Sequence, residues 1–209
     1  MSALTVPLDF LYNYVSINID YHSLLQNYIT KKVGGEEMKT GNGMVSGVCI
    51  GFEDKNNPTI ILVKNADGKK PEKYGLPGGI IENNDRSVTR ALYREWEEEV
   101  EKPDPIFGLI FLTECGCEII RNEGTEREHE WYLFAIEDQL QTLRNHGMPG
   151  ETEAPERIFL HNVIYLEDFP IFYSHLKGIL AVLEKMAACA PHVPELSFLA
   201  RDLRGKIER

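Results

Sequence analysis

The chain has 209 residues, enough for one core domain with added helices but short for two complete enzyme domains. Its 43% apolar and 26% charged residues are ordinary for a soluble globular protein and argue against a disordered, collagen-like or coiled-coil chain. The formal net charge of −11, with no basic run, argues against non-specific binding of duplex nucleic acid, because the phosphate backbone would be repelled.

The cysteines and the hydropathy pattern indicate the compartment. The N-terminus carries no basic segment followed by an apolar block, and no stretch approaches the ~18 apolar residues of a membrane span. The sequence therefore predicts a cytoplasmic protein without a membrane partner. The cysteines lack a CxxC spacing and are expected to be buried thiols rather than metal ligands or disulfides: Cys49, Cys115, Cys117 and Cys189.

Residues 1–43 are predicted to form a partly helical N-terminal extension. Aromatic residues are frequent in it, and a weak helical pattern ends at Gly34 and Gly35. We expect this extension to pack on the core or on a second subunit, which is compatible with a homodimer.

The core begins with short β-branched runs. Residues 44–52 and 59–65 are separated by the turn sequence DKNNP, which predicts an antiparallel hairpin. After a lysine-rich loop, residues 74–81 are apolar around their glycines. Later segments are predicted as two strands, a short helix, an acidic loop and a last strand: residues 106–120, 130–136, 137–146, 147–156 and 157–166.

The end of the chain, residues 170–209, is predicted to form helices that pack on the core. Apolar residues recur at helical spacing over residues 171–188, and a second helical segment follows Pro191 and Pro194. His161 and His175 lie on apolar patterns, so we expect core or interface histidines.

The stretch 75–102 combines a glycine turn with a helix that is rich in carboxylates. A helix is predicted over residues 86–101, because apolar side chains recur every four residues and form one stripe: Val88, Leu92, Trp96 and Val100. On this helix Glu95, Glu98 and Glu99 lie at i, i+3 and i+4, so their carboxylates share one face.

Three like charges on one face destabilise an isolated helix by roughly a few tenths of a kcal/mol for each pair. One interpretation is a solvated acidic face, which is the usual origin of such a run. The other is a site for a hard divalent cation, which takes oxygen ligands. The glycine turn directly upstream favours the cation.

The segment GLPGG and the later REWEEE resemble the signature of the Nudix hydrolases, written G-x5-E-x7-R-E-U-x-E-E-x-G-U, with U a bulky apolar residue. REWEEE matches without change. Counted from Gly79, Asp85 takes the place of the family's glutamate, and eight residues rather than seven precede Arg94. At the far end Glu101 replaces the glycine and Lys102 the apolar residue.

This resemblance implies an α/β fold of the Nudix type, a mixed β-sheet sandwiched between helices, over residues 44–169. Residues 1–43 and 170–209 would be N-terminal and C-terminal helical extensions. The implied activity is hydrolysis of the diphosphate linkage in a nucleoside diphosphate derivative, such as a nucleotide, sugar nucleotide or dinucleotide, by metal-activated water with Mg²⁺ or Mn²⁺. The altered junction leaves an alternative, a catalytically weak or inactive Nudix-fold module that binds or senses a nucleotide.

By the same resemblance, Glu98 and Glu99 would be the principal metal ligands and Glu95 a further ligand or a base. Arg94 would orient these carboxylates, so the catalytic residues would be Glu95, Glu98 and Arg94. The Gly78 carbonyl would add a metal ligand. The supporting residues of the turn would be Gly79, Glu82 and Asp85, although for Asp85 we favour a helix N-cap or first-turn acid.

Outside the signature, several residues carry two interpretations each. A base is expected in the acidic loop, where Glu151, Glu153 and Glu156 could equally be ordinary surface carboxylates. Lys64 and Lys73 precede or border the glycine turn and could bind phosphate, or they could be solvated loop lysines. Trp131 and Tyr132 alternate in a strand, so one could stack on a base, with core packing as the alternative.

Overall fold

The structure is a computed structural model, which describes the following residues: 43–51, 57–66, 72–100, 111–121, 128–137, 143, 146–189, 191 and 193–209. The predicted N-terminal extension, nearly all of the short helix predicted over residues 137–146, and the signature's last two positions lie outside them. The side chains of Cys115, Cys117 and Cys189 also lie outside, whereas Cys49 is a buried thiol.

The described residues form seven strands and four helices. The strands are β1 (Gly43–Gly51), β2 (Thr59–Lys64), β3 (Tyr74–Gly75), β4 (Gly78–Ile80), β5 (Phe111–Arg121), β6 (Glu128–Glu137) and β7 (Glu156–Phe159). The helices are α1 (Val88–Glu99), α2 (Leu160–Tyr165), α3 (Tyr173–Cys189) and α4 (Pro194–Ile207).

The sheet is built around β1, which is buried over nearly its whole length. It pairs in parallel with β6 and antiparallel with β2 and β4, in the order β3-β2-β1-β6-β5, while β7 pairs with β2. A near-continuous apolar run is typical of a strand that is covered on both faces. The predicted hairpin of β1 and β2 and the predicted mixed sheet are both confirmed.

Helices cover both faces of the sheet. Trp96 of α1 lies over Gly47 of β1, beside Ile136 of β6. On α3, Gly178 lies against Trp131 and Leu133, which point to the other face of β6 because successive side chains in a strand alternate. The predicted sandwich is therefore confirmed. A hydrophobic core cluster lies on the α3 side and includes apolar residues of α2, α3 and α4.

Helix α1 follows the predicted stripe but is two residues shorter at each end. Ser87 is its N-cap, with the hydroxyl oxygen accepting a hydrogen bond from the Arg90 amide at 3.1 Å. Ala91, Leu92 and Trp96 are buried toward β1 and β4. Glu95 and Glu99 are buried along with them, so their carboxylates meet the glycines at the start of β4.

The strand predicted over residues 157–166 is wrong from Leu160 onward. β7 ends at Phe159, and α2 begins at Leu160. Leu160, Val163 and Ile164 are buried at i, i+3 and i+4, which is a helical rather than an alternating period. The C-terminal helices are confirmed as α3 and α4. Among the described residues, no helix combines the length and apolar character needed to cross a bilayer.

Candidate active site

The glycine turn between β3 and β4 brings a backbone amide to α1. Gly78 adopts a φ of 145°, which favours glycine, and a Cβ there would lie 2.0 Å from the Val45 carbonyl oxygen. Its N–H donates to Oε2 of Glu99 at 2.7 Å. The observed contact of Gly78 with the site is thus made through its amide.

The next glycine makes room for a second carboxylate. A Cβ on Gly79 would lie 2.5 Å from Oε1 of Glu95. Glu95 therefore rests directly on the backbone of β4, where any larger residue would displace it. Gly78 and Gly79 thus pack directly against Glu99 and Glu95 of α1.

Arg94 joins the carboxylates to the turn. Its Nε and Nη2 donate to the two oxygens of Asp85 at 3.3 and 2.9 Å, a forked pair. Nη1 donates to Glu95 at 2.8 Å and to Glu98 at 3.2 Å, and Nη2 also donates to the Ile80 carbonyl at 2.9 Å. This arrangement orients Glu95 and Glu98 relative to β4.

Asp85 is the residue that braces Arg94. Its Oδ2 accepts the Glu82 amide at 2.9 Å. Burial opposes ionisation of Asp85, but the hydrogen bonds from Arg94 and from that amide outweigh it and lower the pKa of the carboxyl. The N-cap interpretation was wrong, because Ser87 caps the helix and its first turn holds no acid. Since Arg86 and Ser87 precede the helix, the longer spacing still lets Asp85 reach Arg94.

Two carboxylates of the cluster are buried, and this raises their pKa. Desolvation raises the pKa of Glu95 to about 6, against the attraction of Arg94. Desolvation raises the pKa of Glu99 to about 8, opposed by the Gly78 amide and assisted by the charges of Glu95, Glu151 and Glu98. Glu99 is only 7% exposed. The site thus holds acids that would ionise more readily beside a cation.

The side chains of Glu95, Glu98 and Glu99 fit a hard divalent cation in kind, since all three offer oxygens from one helix face. As the side chains stand, the described part of the chain holds no group of three His, Cys, Asp or Glu residues arranged around a metal position. Arg94 binds oxygens of Glu95 and Glu98, and the Gly78 amide binds one of Glu99. Each of the predicted ligands, Glu95, Glu98 and Glu99, therefore has one oxygen already bonded within the protein.

The three glutamates predicted as loop bases have different surroundings. Glu153 pairs with Lys64 at 3.4 Å, and Glu156 accepts the Tyr74 hydroxyl at 3.1 Å. Glu151 is exposed, and its negative charge helps to raise the pKa of Glu99. Glu153 and Glu156 are thus engaged with Lys64 and Tyr74, whereas Glu151 acts on Glu99 through its charge.

The predicted phosphate-binding lysines are engaged elsewhere. Lys64 bonds to Glu72 at 3.1 Å as well as to Glu153, and Nζ of Lys73 lies 5.9 Å from the centre of the Phe172 ring. Trp131 is buried and donates to the Ser46 hydroxyl at 3.1 Å, so it belongs to the core.

Two contributors were missed by sequence reasoning. Ser87 stands directly before the apolar stripe, and this N-cap signal could have identified it. His175 accepts a hydrogen bond from the Leu76 amide at 2.7 Å. The two residues are 99 positions apart in the sequence, and no local pattern signals such a contact.

A mixed sheet between helices, with a carboxylate-bearing helix against a glycine turn, defines a protein of the Nudix fold. The family model described as NUDIX domain matches residues 44–174, more than half of the chain. The chain belongs to the Nudix family. No curated protein gives a significant match.

Solved structures show the same fold. The Nudix domain of Shewanella oneidensis NrtR in complex with ADP-ribose has 16% identity and a TM-score of 0.56, covering 75% of this chain and 97% of that one. A MutT/nudix family protein from Enterococcus faecalis has 13% identity and a TM-score of 0.56, with coverage of 92% and 85%. S. oneidensis NrtR with a 27mer DNA has 18% identity and a TM-score of 0.50, with coverage of 78% and 76%.

Proposed function

We propose that this chain hydrolyses the diphosphate linkage of a nucleoside diphosphate derivative, with Mg²⁺ or Mn²⁺ as cofactor. The observation that supports this is the pair of buried carboxylates, Glu95 and Glu99, whose pKa values are raised by desolvation. A fold selected only for stability would not bury these acids beside one another, whereas a divalent cation would stabilise their charged forms.

Each residue of the cluster has a distinct part in this proposal. Glu95, Glu98 and Glu99 would hold the cation, and Arg94, braced by Asp85, keeps the first two oriented. When bound, the cation supplies charge neutralisation at phosphate oxygens and a more acidic water. Glu151 is the proposed general base, because it is exposed, whereas Glu153 pairs with Lys64 and Glu156 accepts the Tyr74 hydroxyl.

The test is a screen of nucleoside diphosphate derivatives with Mg²⁺ and with Mn²⁺, in which both products and rates are measured. ADP-ribose is the first compound to include, because the similarly folded NrtR domain was crystallised with it. We expect metal-dependent release of a nucleoside monophosphate or phosphate from at least one compound.

Three variants sharpen this screen. Glu98→Gln and Glu99→Gln should each lower the rate by about 100-fold or more, since each removes a proposed ligand. Glu184→Gln removes the same charge from α3, where Glu184 pairs with Arg204, and should leave the rate unchanged. Unchanged rates in the first two variants would refute the proposal. Tight binding without turnover would instead identify a nucleotide-binding module.

A further inference from the structure

The segment that leads into α3 is hydrogen-bonded along β3. The Tyr74 amide donates to the Pro170 carbonyl at 2.7 Å, and the Phe172 amide donates to the Tyr74 carbonyl at 3.1 Å. The next amide in this series, that of Leu76, donates to Nδ1 of His175 at 2.7 Å. His175 therefore continues the ladder with its side chain where the backbone has already turned into a helix.

The His175 ring is held on several sides. Its centre lies 5.2 Å from that of Trp131 and 5.6 Å from that of Phe172. A Cβ on Gly75 would lie 3.1 Å from its Cε1 atom, so the backbone of β3 covers another side. Because Nδ1 accepts from an amide, we assign the proton of the neutral ring to Nε2.

The Leu76 amide lies at the start of the same turn that reaches Glu99. The Pro77 carbonyl accepts the Gly47 amide at 3.0 Å, and the Gly78 amide donates to Glu99 at 2.7 Å. Three consecutive residues of the turn thus each carry one bond to a different element. His175 holds the beginning of the turn and Glu99 holds its end.

We propose that His175 is a positioning residue for the candidate active site. By accepting the Leu76 amide, it fixes the path of the turn so that the Gly78 amide stays on Glu99. The catalytic consequence rests on the proposed function, because it requires that Glu99 hold a cation, whereas the coupling between His175 and Gly78 can be measured without a substrate.

Two substitutions separate the acceptor atom from the ring. In His175→Asn, Oδ1 occupies the position of Nδ1 and can still accept the amide. In His175→Phe, the aromatic packing against Trp131 remains but the acceptor is lost. His175→Leu, a second variant without an acceptor, is measured alongside so that the result does not depend on one protein folding well.

The first measurement is amide hydrogen exchange of the metal-free full chain, followed by NMR. In the Phe and Leu variants we expect the Leu76 and Gly78 amides to exchange about tenfold faster, with the β1 amides unchanged and the Asn variant close to wild type. The proposal would be overturned if the Gly78 amide exchanged at the wild-type rate in both His175→Phe and His175→Leu. It would also be overturned if His175→Asn and His175→Phe changed the exchange rates equally.

The second measurement is Mn²⁺ binding, followed by electron paramagnetic resonance. The dissociation constant should rise about tenfold in the Phe and Leu variants and be restored in the Asn variant. Equal Mn²⁺ affinity in all four proteins would overturn the link from His175 to the metal ligands. If the wild-type chain binds no Mn²⁺, the proposed function fails, while the exchange of Gly78 still decides whether His175 positions the turn.

Discussion

Replacing Glu99 by glutamine should stabilise the metal-free protein at alkaline pH, although it removes a proposed ligand. Glu99 is 7% exposed, and one of its oxygens accepts the Gly78 amide. Glutamine has nearly the same shape, and its Oε1 can accept the same amide. The substitution therefore removes a buried negative charge while leaving the hydrogen bond to the turn in place.

The magnitude follows from the pKa of Glu99, which burial raises from 4.5 to about 8. An acid whose pKa is higher in the folded state binds a proton on folding, so stability falls as the pH rises from about 4.5 to about 8 and then stays low. The full shift corresponds to about 5 kcal/mol, an upper limit. We expect glutamine to recover about 1–3 kcal/mol, because its buried NH₂ group also needs a partner.

The assay is urea unfolding in the presence of a chelator, at about pH 5 and about pH 9, on either side of most of this transition. The free energy of unfolding of Glu99→Gln should exceed that of wild type at the higher pH and approach it at the lower. Glu97→Gln removes an equal charge from a half-exposed position of α1 and is the matched control. A Glu99→Gln protein that is less stable than wild type at both values would refute the reasoning.

A cation should act in the opposite direction and favour the wild-type chain. Mn²⁺ at about 100 times its dissociation constant would add about 2.7 kcal/mol to the unfolding free energy of the wild-type chain. The same addition should leave Glu99→Gln nearly unchanged. Equal stabilisation of both proteins would show that Glu99 does not bind the metal.

Three further substitutions test other parts of the structure. In Gly79→Ala, a Cβ would lie 2.5 Å from the Glu95 carboxylate and should displace it. The metal-dependent rate should fall by roughly tenfold or more, with a small change in melting temperature. Arg94→Lys should lower the free energy of unfolding by about 2 kcal/mol, since an ammonium group cannot reproduce the fork to Asp85; an unchanged urea midpoint would contradict the bracing role. Gly205→Ala should raise the unfolding free energy by about 0.5–1 kcal/mol without changing the rate, because a Cβ in that turn of α4 meets nothing within 4 Å.

Local patterns were enough to predict the central elements. The four-residue recurrence that ends at Val100 places α1 with its apolar face on the sheet, and the short β-branched runs predict β1 and β2. Residues close in sequence and on one helix face, such as Glu95, Glu98 and Glu99, must also be close in space. The composition of the carboxylate cluster therefore followed from spacing alone.

Contacts between distant segments could not be predicted in this way. Glu151, Glu153 and Glu156 are equivalent as letters, and only the fold places Lys64 beside one and Tyr74 beside another. Leu160 would be apolar in a strand and in a helix alike, so its residue type did not show that the strand predicted over residues 157–166 stops where α2 begins. Choosing between them requires the neighbours that bury the side chain, which the one-dimensional pattern does not contain.

The bond between Leu76 and His175 also orders events during synthesis, because the two residues are 99 positions apart. At about 5–20 residues per second, a ribosome needs about 5–20 s to add His175 after Leu76. For most of that interval the nascent chain already holds the glycine turn and the proposed ligands Glu95, Glu98 and Glu99, but not the side chain that accepts the turn's first amide. The part of the chain that carries the signature is therefore made well before the part that orders it.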